Sequence, residues 1–94
     1  MRPVQLADVE MAARVLMRSA PNKRAALMLD LIREADIADA HRQQFGTPHT
    51  QFGAGSLLSR AARCSAAPRP SAMNGPVLDA YRVVIDALLS HQNA

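Results

Sequence analysis

From Ala25 to Ile32 the sequence runs Ala25-Ala26-Leu27-Met28-Leu29-Asp30-Leu31-Ile32, apolar on nearly every side of a helix. A helix with no polar face over two turns must be covered all round, by its own domain or by a partner. The rest of the chain has to be arranged about that demand. Pro21 can open this helix at its first position, where the missing N–H is not required. Gly46 can close it, since glycine readily takes the left-handed conformation that ends helices. The predicted helix, 21–44, is the longest element in the sequence. Its second half, Arg33 to Gln44, is charged and alanine-rich, with Ala35, Ala38 and Phe45 continuing the apolar stripe.

Before it, residues 6–19 carry Leu6, Val9, Ala13, Leu16 and Ala20 at helical spacing, which predicts one buried stripe. Asp8 and Glu10 near the start and Arg14 and Arg18 near the end complement the helix dipole. Residues 6–45 therefore read as a helical hairpin. Residues 46–55, with three glycines and Pro48, read as a loop. Ser56 is a suitable N-cap for a short helix, 56–64. Residues 66–75, with Pro68 and Pro70, predict a semi-extended linker. The last helix, 76–91, has Leu78, Tyr81, Ile85 and Leu88 in register. Val83-Val84-Ile85 favours strand in isolation but lies inside that helical pattern. The expectation is an all-α single domain of three to four helices: a hairpin, then a C-terminal helix behind a proline-containing linker.

What covers the apolar run depends on the available side chains. The chain has no Trp, one Tyr and two Phe, whereas 18 of its 94 residues are alanine. Its core must be Leu, Ile, Val and Met between closely packed, alanine-lined helices. A chain of this length buries only about 60–65% of its unfolded surface. Association with a copy of itself is therefore expected, through Leu27, Met28, Leu29, Leu31 and Ile32. Cys64 alone excludes an internal disulfide and fits a reducing cytoplasm. No apolar stretch approaches a membrane span, and Arg2, Asp8, Glu10 and Arg14 interrupt any signal-like run. A soluble protein without a membrane partner is expected.

No catalytic constellation emerges. Gly53-Ala54-Gly55-Ser56 enters a helix N-terminus, but it lacks the Gly-Lys-Ser/Thr ending of a phosphate loop and no strand precedes it. Ser56 lacks the second glycine of a nucleophile elbow, since Leu58 holds that place. His41, His49, Cys64 and His91 lie 8, 15 and 27 residues apart, unlike the short paired spacings of zinc sites. Neither an enzyme, a metal nor a cofactor is expected.

Charge is the remaining signal. The net charge is +3, with ten Arg and a single Lys, and Arg suits bidentate contact with phosphate. Arg14, Arg18, Lys23, Arg24, Arg60 and Arg63 are the candidates for DNA contact, with Arg69 beside them. No recognition helix with polar first turns is present, so phosphate contact without base reading is the most these residues support. Asp30, Glu34, Asp36 and Asp39 form an acidic stretch around Arg33. It reads either as a solvated helix face with pairs such as Asp39–Arg42 or as a surface that meets the basic stretch Arg60–Arg69 of another subunit. On the last helix, Asp79, Arg82 and Asp86 would face outward if its apolar side folds back, and could then meet a partner.

Several strings together resemble a known family: Met1-Arg2-Pro3-Val4, Leu6-Ala7-Asp8-Val9-Glu10, Arg33-Glu34-Ala35-Asp36, and Pro48-His49 running on to Gly53-Ala54-Gly55-Ser56-Leu57. They are similar to small alphaproteobacterial proteins encoded at the head of gene-transfer-agent clusters, just before the large terminase, and taken to be the agents' small terminase subunits. The likeness covers most of the chain and includes no catalytic signature. It implies a non-enzymatic helical oligomer, often a ring, that brings double-stranded DNA to the large terminase. The hairpin would build the oligomer. Many phage relatives add an N-terminal helix-turn-helix, for which this chain has no residues, so DNA contact would be weak and blind to sequence. It also lacks a clear β-rich C-terminal segment, leaving the large-terminase contact to the last helix or the 66–75 linker. The alternative is a small helical adaptor or regulator that binds only protein.

Overall fold

The computed structural model describes residues 1–93. Four α-helices follow in order: α1 (Leu6–Leu16), α2 (Arg24–Phe45), α3 (Leu57–Ala61) and α4 (Gly75–Gln92). The fold is all-α. Among the described residues there is no strand, only an isolated bridge between His49 and Gly53.

Most helix ends follow local chemistry. Asn74 and Ser56 cap α4 and α3 by accepting from the backbone N–H of Val77 and Ser59. Gly46, at φ 73°, ends α2 in the left-handed conformation and donates to the Arg42 carbonyl. α1 stops at Leu16, short of Ser19. The Arg24 side chain donates from Nε to the carbonyls of Leu16 (2.9 Å) and Ser19 (3.2 Å), holding the chain as it turns. A 3₁₀ turn, Pro21–Lys23, then leads into α2.

The anticipated hairpin is not closed. α1 packs mainly on α3 and α4, and α2 on α4 and α3, while α1 and α2 touch only slightly. α4 folds back across both. Leu16, Met28, Leu31, Leu57 and Val84 are the largest fully buried side chains, with Ala12, Ala13, Ala61 and Ala80 among them. The alanines let helix backbones approach where aromatic rings would hold them apart.

The buried faces of two helices differ from the expected stripes. On α1 the buried residues are Asp8, Ala12, Ala13, Val15 and Leu16, while Leu6 is 82% exposed. On α4 they are Val77, Ala80, Val84 and Leu88, whereas Leu78 and Ile85 point outward and Tyr81 is half-buried. On α4 the core took the side containing Ala80, which permits close helix contact, over the side with more bulk; on α1 Ala13 and Leu16 of the expected stripe are buried and the buried face widens to Ala12 and Val15.

The apolar run of α2 is covered from within. Met28, Leu31 and Ile32 are core residues and Leu27 is half-buried, so these four are not a free self-association surface. Leu29 alone of the five remains open, 59% exposed.

The 46–55 loop is firmly placed. Gly53 (φ 90°) and Gly55 (φ 99°) are both buried. A Cβ on Gly55 would lie 2.8 Å from the Asp39 Cα, so both conformation and space demand glycine there. The linker is likewise tied down. Ala67 N–H donates to the Arg14 carbonyl (2.9 Å), and Arg14 Nε donates to the Ala67 carbonyl (2.8 Å).

Candidate interaction surface

Four of the six basic residues proposed for DNA contact are engaged by the chain's own groups. Arg14 holds the linker, and Arg24 holds the α1–α2 corner with Nη1 4.0 Å from Asp79. Arg60 pairs with Glu34 at 3.0 Å, both side chains largely buried, and its guanidinium lies over the Phe52 ring. Arg63 donates to the Thr50 carbonyl at 2.6 Å but keeps an exposed position. Arg18 and Lys23 are exposed and, among the described residues, make no ion pair or side-chain hydrogen bond. The correction has a plain cause: arginine has donors enough to satisfy carbonyls left open at turns, and four of the six do so or neutralise an internal acid. The complementarity between the acidic stretch and Arg60 is also met within one chain, through Glu34. Arg69 pairs with Glu10 at 2.8 Å.

The acids of α2 are not uniformly wet. Asp39 is buried, accepts from Arg42 Nη2 at 2.8 Å and from Gln43 Nε2 at 3.2 Å, and lies 3.6 Å from the Met1 ammonium. The Arg42 hydrogen bond holds its carboxyl below the usual range against the opposing effect of burial, and the ammonium charge adds to the lowering. Asp8 is 4% exposed. Its two oxygens accept from the backbone N–H of Gln5, at the start of α1, and of Leu58, in the first turn of α3, each at 2.7 Å. Nothing in the local sequence around Asp8 signals the second bond.

At the far end of α2, His41 packs against Phe45 and His49, and His49 stacks on Phe52. His49 Nδ1 accepts from the N–H groups of Gln51 and Phe52, both at 3.1 Å, which fixes the turn. Cys64 is half-buried and lies 3.3 Å from Arg60 Nη1. Among the described residues no three His, Cys, Asp or Glu side chains are gathered as a metal site would need.

The open surface is elsewhere. Two hollows of about 450 and 400 Å³ lie along the α2–α4 seam and share Leu29, Ala87 and Ser90, so they form one trough. Ile32 and Ile37 line one end, Ala25 and Val83 the other. Asp79, Arg82 and Asp86, expected on the outer side of α4, do lie there: Arg82 is 2.7 Å from Asp79 and 3.5 Å from Asp86. Leu78, Ile85 and Leu89 are exposed on the same helix. The sequence reading missed the trough because it assigned the bulky stripe of α4 to the core. The arrangement offers an apolar face with a charged rim.

Among the described residues, no helix is long and apolar enough to cross a membrane. No curated protein and no solved structure matches the chain. A family model matches residues 2–88, and its description is a domain of unknown function, DUF7742.

Proposed function

The chain belongs to the DUF7742 family, a domain of unknown function, and we propose that it works as a non-enzymatic adaptor of the small-terminase type in a phage-like DNA-packaging system. The observation that carries this reading is the open α2–α4 trough on a chain whose four helices already share a core. An apolar seam left uncovered beside a complete core suits a protein partner. The resemblance of the sequence to gene-transfer-agent small terminases supplies the class of that partner, the large terminase. Asp79, Arg82 and Asp86 stand on the helix that forms one wall. DNA is a secondary ligand in this reading, touched weakly and without sequence preference through Arg18 and Lys23 with help from Arg63. The site is cytoplasmic, where packaging takes place.

Self-association belongs to the same reading, through the exposed Leu78, Ile85 and Leu89 of α4 rather than the apolar run of α2. A mass well above the 10.1 kDa chain in light scattering, lowered by Ile85→Asp, is expected. A specific observation favours a second reading, a protein-only adaptor: four of the six basic candidates are held by the chain's own groups.

The deciding experiment is capture of a gene-transfer-agent large terminase by the full-length protein. Removing everything after Ala67 is not a useful control, because Ala80, Val84 and Leu88 would leave the core. Reversing charge at Asp79, Arg82 and Asp86 on the surface is. Capture weakened by those reversals supports the terminase reading. Absence of both capture and DNA binding would leave the protein-only adaptor.

A further inference from the structure

The chain has few aromatic rings, and most of them meet in one place. Both phenylalanines and two of the three histidines gather where α2 ends and the 46–55 loop begins. Between ring centroids, His41 lies 4.7 Å from Phe45 and 5.2 Å from His49, and His49 stacks on Phe52 at 4.8 Å. The Arg60 guanidinium covers the Phe52 ring at 5.2 Å. The inner members of this run serve the fold. His49 accepts from two backbone N–H groups of the turn, and Phe52 is half-buried against His49 and Arg60. Phe45, at the other end of the run, is 61% exposed. A ring left in water gives the fold little of the stabilisation that burying it would bring.

The charge around these rings has one sign. From Ala40 to Leu78 the sequence contains four Arg and no Asp or Glu. The last acids before that stretch that lie near it, Glu34 and Asp39, are paired with Arg60 and Arg42. Arg63 is exposed beside the loop, donating from Nη1 to the Thr50 carbonyl at 2.6 Å. A guanidinium carries five N–H donors, so this bond leaves Arg63 able to meet a phosphate.

An exposed ring with arginine nearby and no acid to repel a phosphate suits unpaired nucleotides. Their bases stack on aromatic side chains while the backbone follows positive charge. A duplex keeps its base faces inside the stack and presents none to Phe45. A protein segment would use the apolar surface of the ring, but the acid-free surround favours a polyanion over it.

We infer that the end of the molecule formed by the C-terminus of α2 and the 46–55 loop binds single-stranded nucleic acid, with a base stacked on Phe45 and phosphate meeting Arg63. The inference goes beyond the adaptor reading, whose weak duplex contact needs no unpaired base.

The test uses the full-length chain with an oligothymidylate of about 16 nucleotides and a duplex of the same length. The single strand should bind at least about tenfold more tightly. Phe45→Ala should weaken that binding about fivefold or more, the loss of one stacked base. Phe45→Leu should weaken it as much, because leucine supplies apolar surface without a π face, whereas Phe45→Trp should retain it. Circular dichroism should be unchanged in all three, since the side chain is exposed. Arg63→Gln should flatten the slope of log affinity against log salt by about 0.7. Amide shifts should centre on His41, Phe45 and Thr50. Equal affinity for single strand and duplex, full affinity in Phe45→Leu, or shifts centred elsewhere would overturn the inference. So would large-terminase capture that Phe45→Ala abolishes, because a protein would then hold that face. No single-strand binding at millimolar oligonucleotide, with terminase capture intact, would overturn the inference and leave the adaptor function standing.

Discussion

The Asp8 carboxylate joins two backbone N–H groups, that of Gln5 beside it and that of Leu58, 50 residues further along the chain than Asp8. One bond closes the first turn of α1, and the other holds the first turn of α3 against it. Hydrogen bonds to a charged acceptor contribute about 1.5–3 kcal/mol each. Asp8→Ala should therefore lower stability by about 3–6 kcal/mol, a drop of more than about 10 °C in thermal midpoint for a domain of this size. Asp8→Asn should recover only part of that, since its amide would point N–H at N–H on one side. A midpoint within a degree or two of wild type, followed by circular dichroism, would show that α3 is held by other contacts. Asp39 makes a different prediction, one of pH. Its carboxyl is held low first by the Arg42 hydrogen bond, with burial opposing and the Met1 ammonium assisting. A depressed folded-state value means the stabilisation is complete above the ordinary carboxylate value, 3.8, and is lost as pH falls through the lower folded value. Urea midpoints should fall as pH drops below that ordinary carboxylate value, and Asp39→Asn should flatten that fall while lowering stability at pH 6. Equal acid slopes in both proteins would rule Asp39 out as the source.

At the scale of elements, the sequence was informative wherever the determinant is local. Ser56 caps a helix because its hydroxyl reaches the N–H three residues on, and Gly46 ends one because its left-handed backbone has no Cβ to clash. Both are visible in a few residues of sequence, as is the Asp39–Arg42 pair one turn apart. The buried faces of α1 and α4 were not legible in the same way. Both helices carry apolar residues on more than one side, and spacing cannot say which side meets the core. Packing decides that, and it chose Ala12, Ala13 and Ala80. Two substitutions on α4 separate the alternatives. Ala80→Leu inserts bulk at a fully buried helix contact and should cost about 1–3 kcal/mol. Ile85→Ala removes a side chain 45% exposed and should change stability by well under 1 kcal/mol. The stripe read from spacing predicts the reverse order, so chemical denaturation of the two variants distinguishes the two faces directly.

For the whole molecule, net charge is a weak guide to function because it does not say which charges are already engaged. Ten arginines suggested a phosphate-binding surface, yet Arg14, Arg24 and Arg60 are occupied in holding the linker, the α1–α2 corner and Glu34, respectively. The open trough was hidden from the sequence for the converse reason: it exists only where α2 and α4 meet. Salt dependence makes the charge argument quantitative. Each phosphate contact contributes about 0.9 to the slope of log affinity against log salt on duplex DNA. Six contacts would give a slope near −5, whereas the two of the six without an ion pair or side-chain hydrogen bond among the described residues, Arg18 and Lys23, with part of Arg63, give roughly −2 to −3. Arg18→Ala and Lys23→Ala should each flatten the slope by about 0.9 without affecting folding. Arg14→Ala and Arg24→Ala should instead lower the thermal midpoint, because the first leaves the Ala67 carbonyl and the second the Leu16 and Ser19 carbonyls without their donor. Titration of two unrelated duplexes at several salt concentrations reads the slope and the absence of sequence preference together. A slope near −5 that Arg60→Ala reduces would mean that the Arg60–Glu34 pair opens on DNA and that the basic residues act as one surface after all.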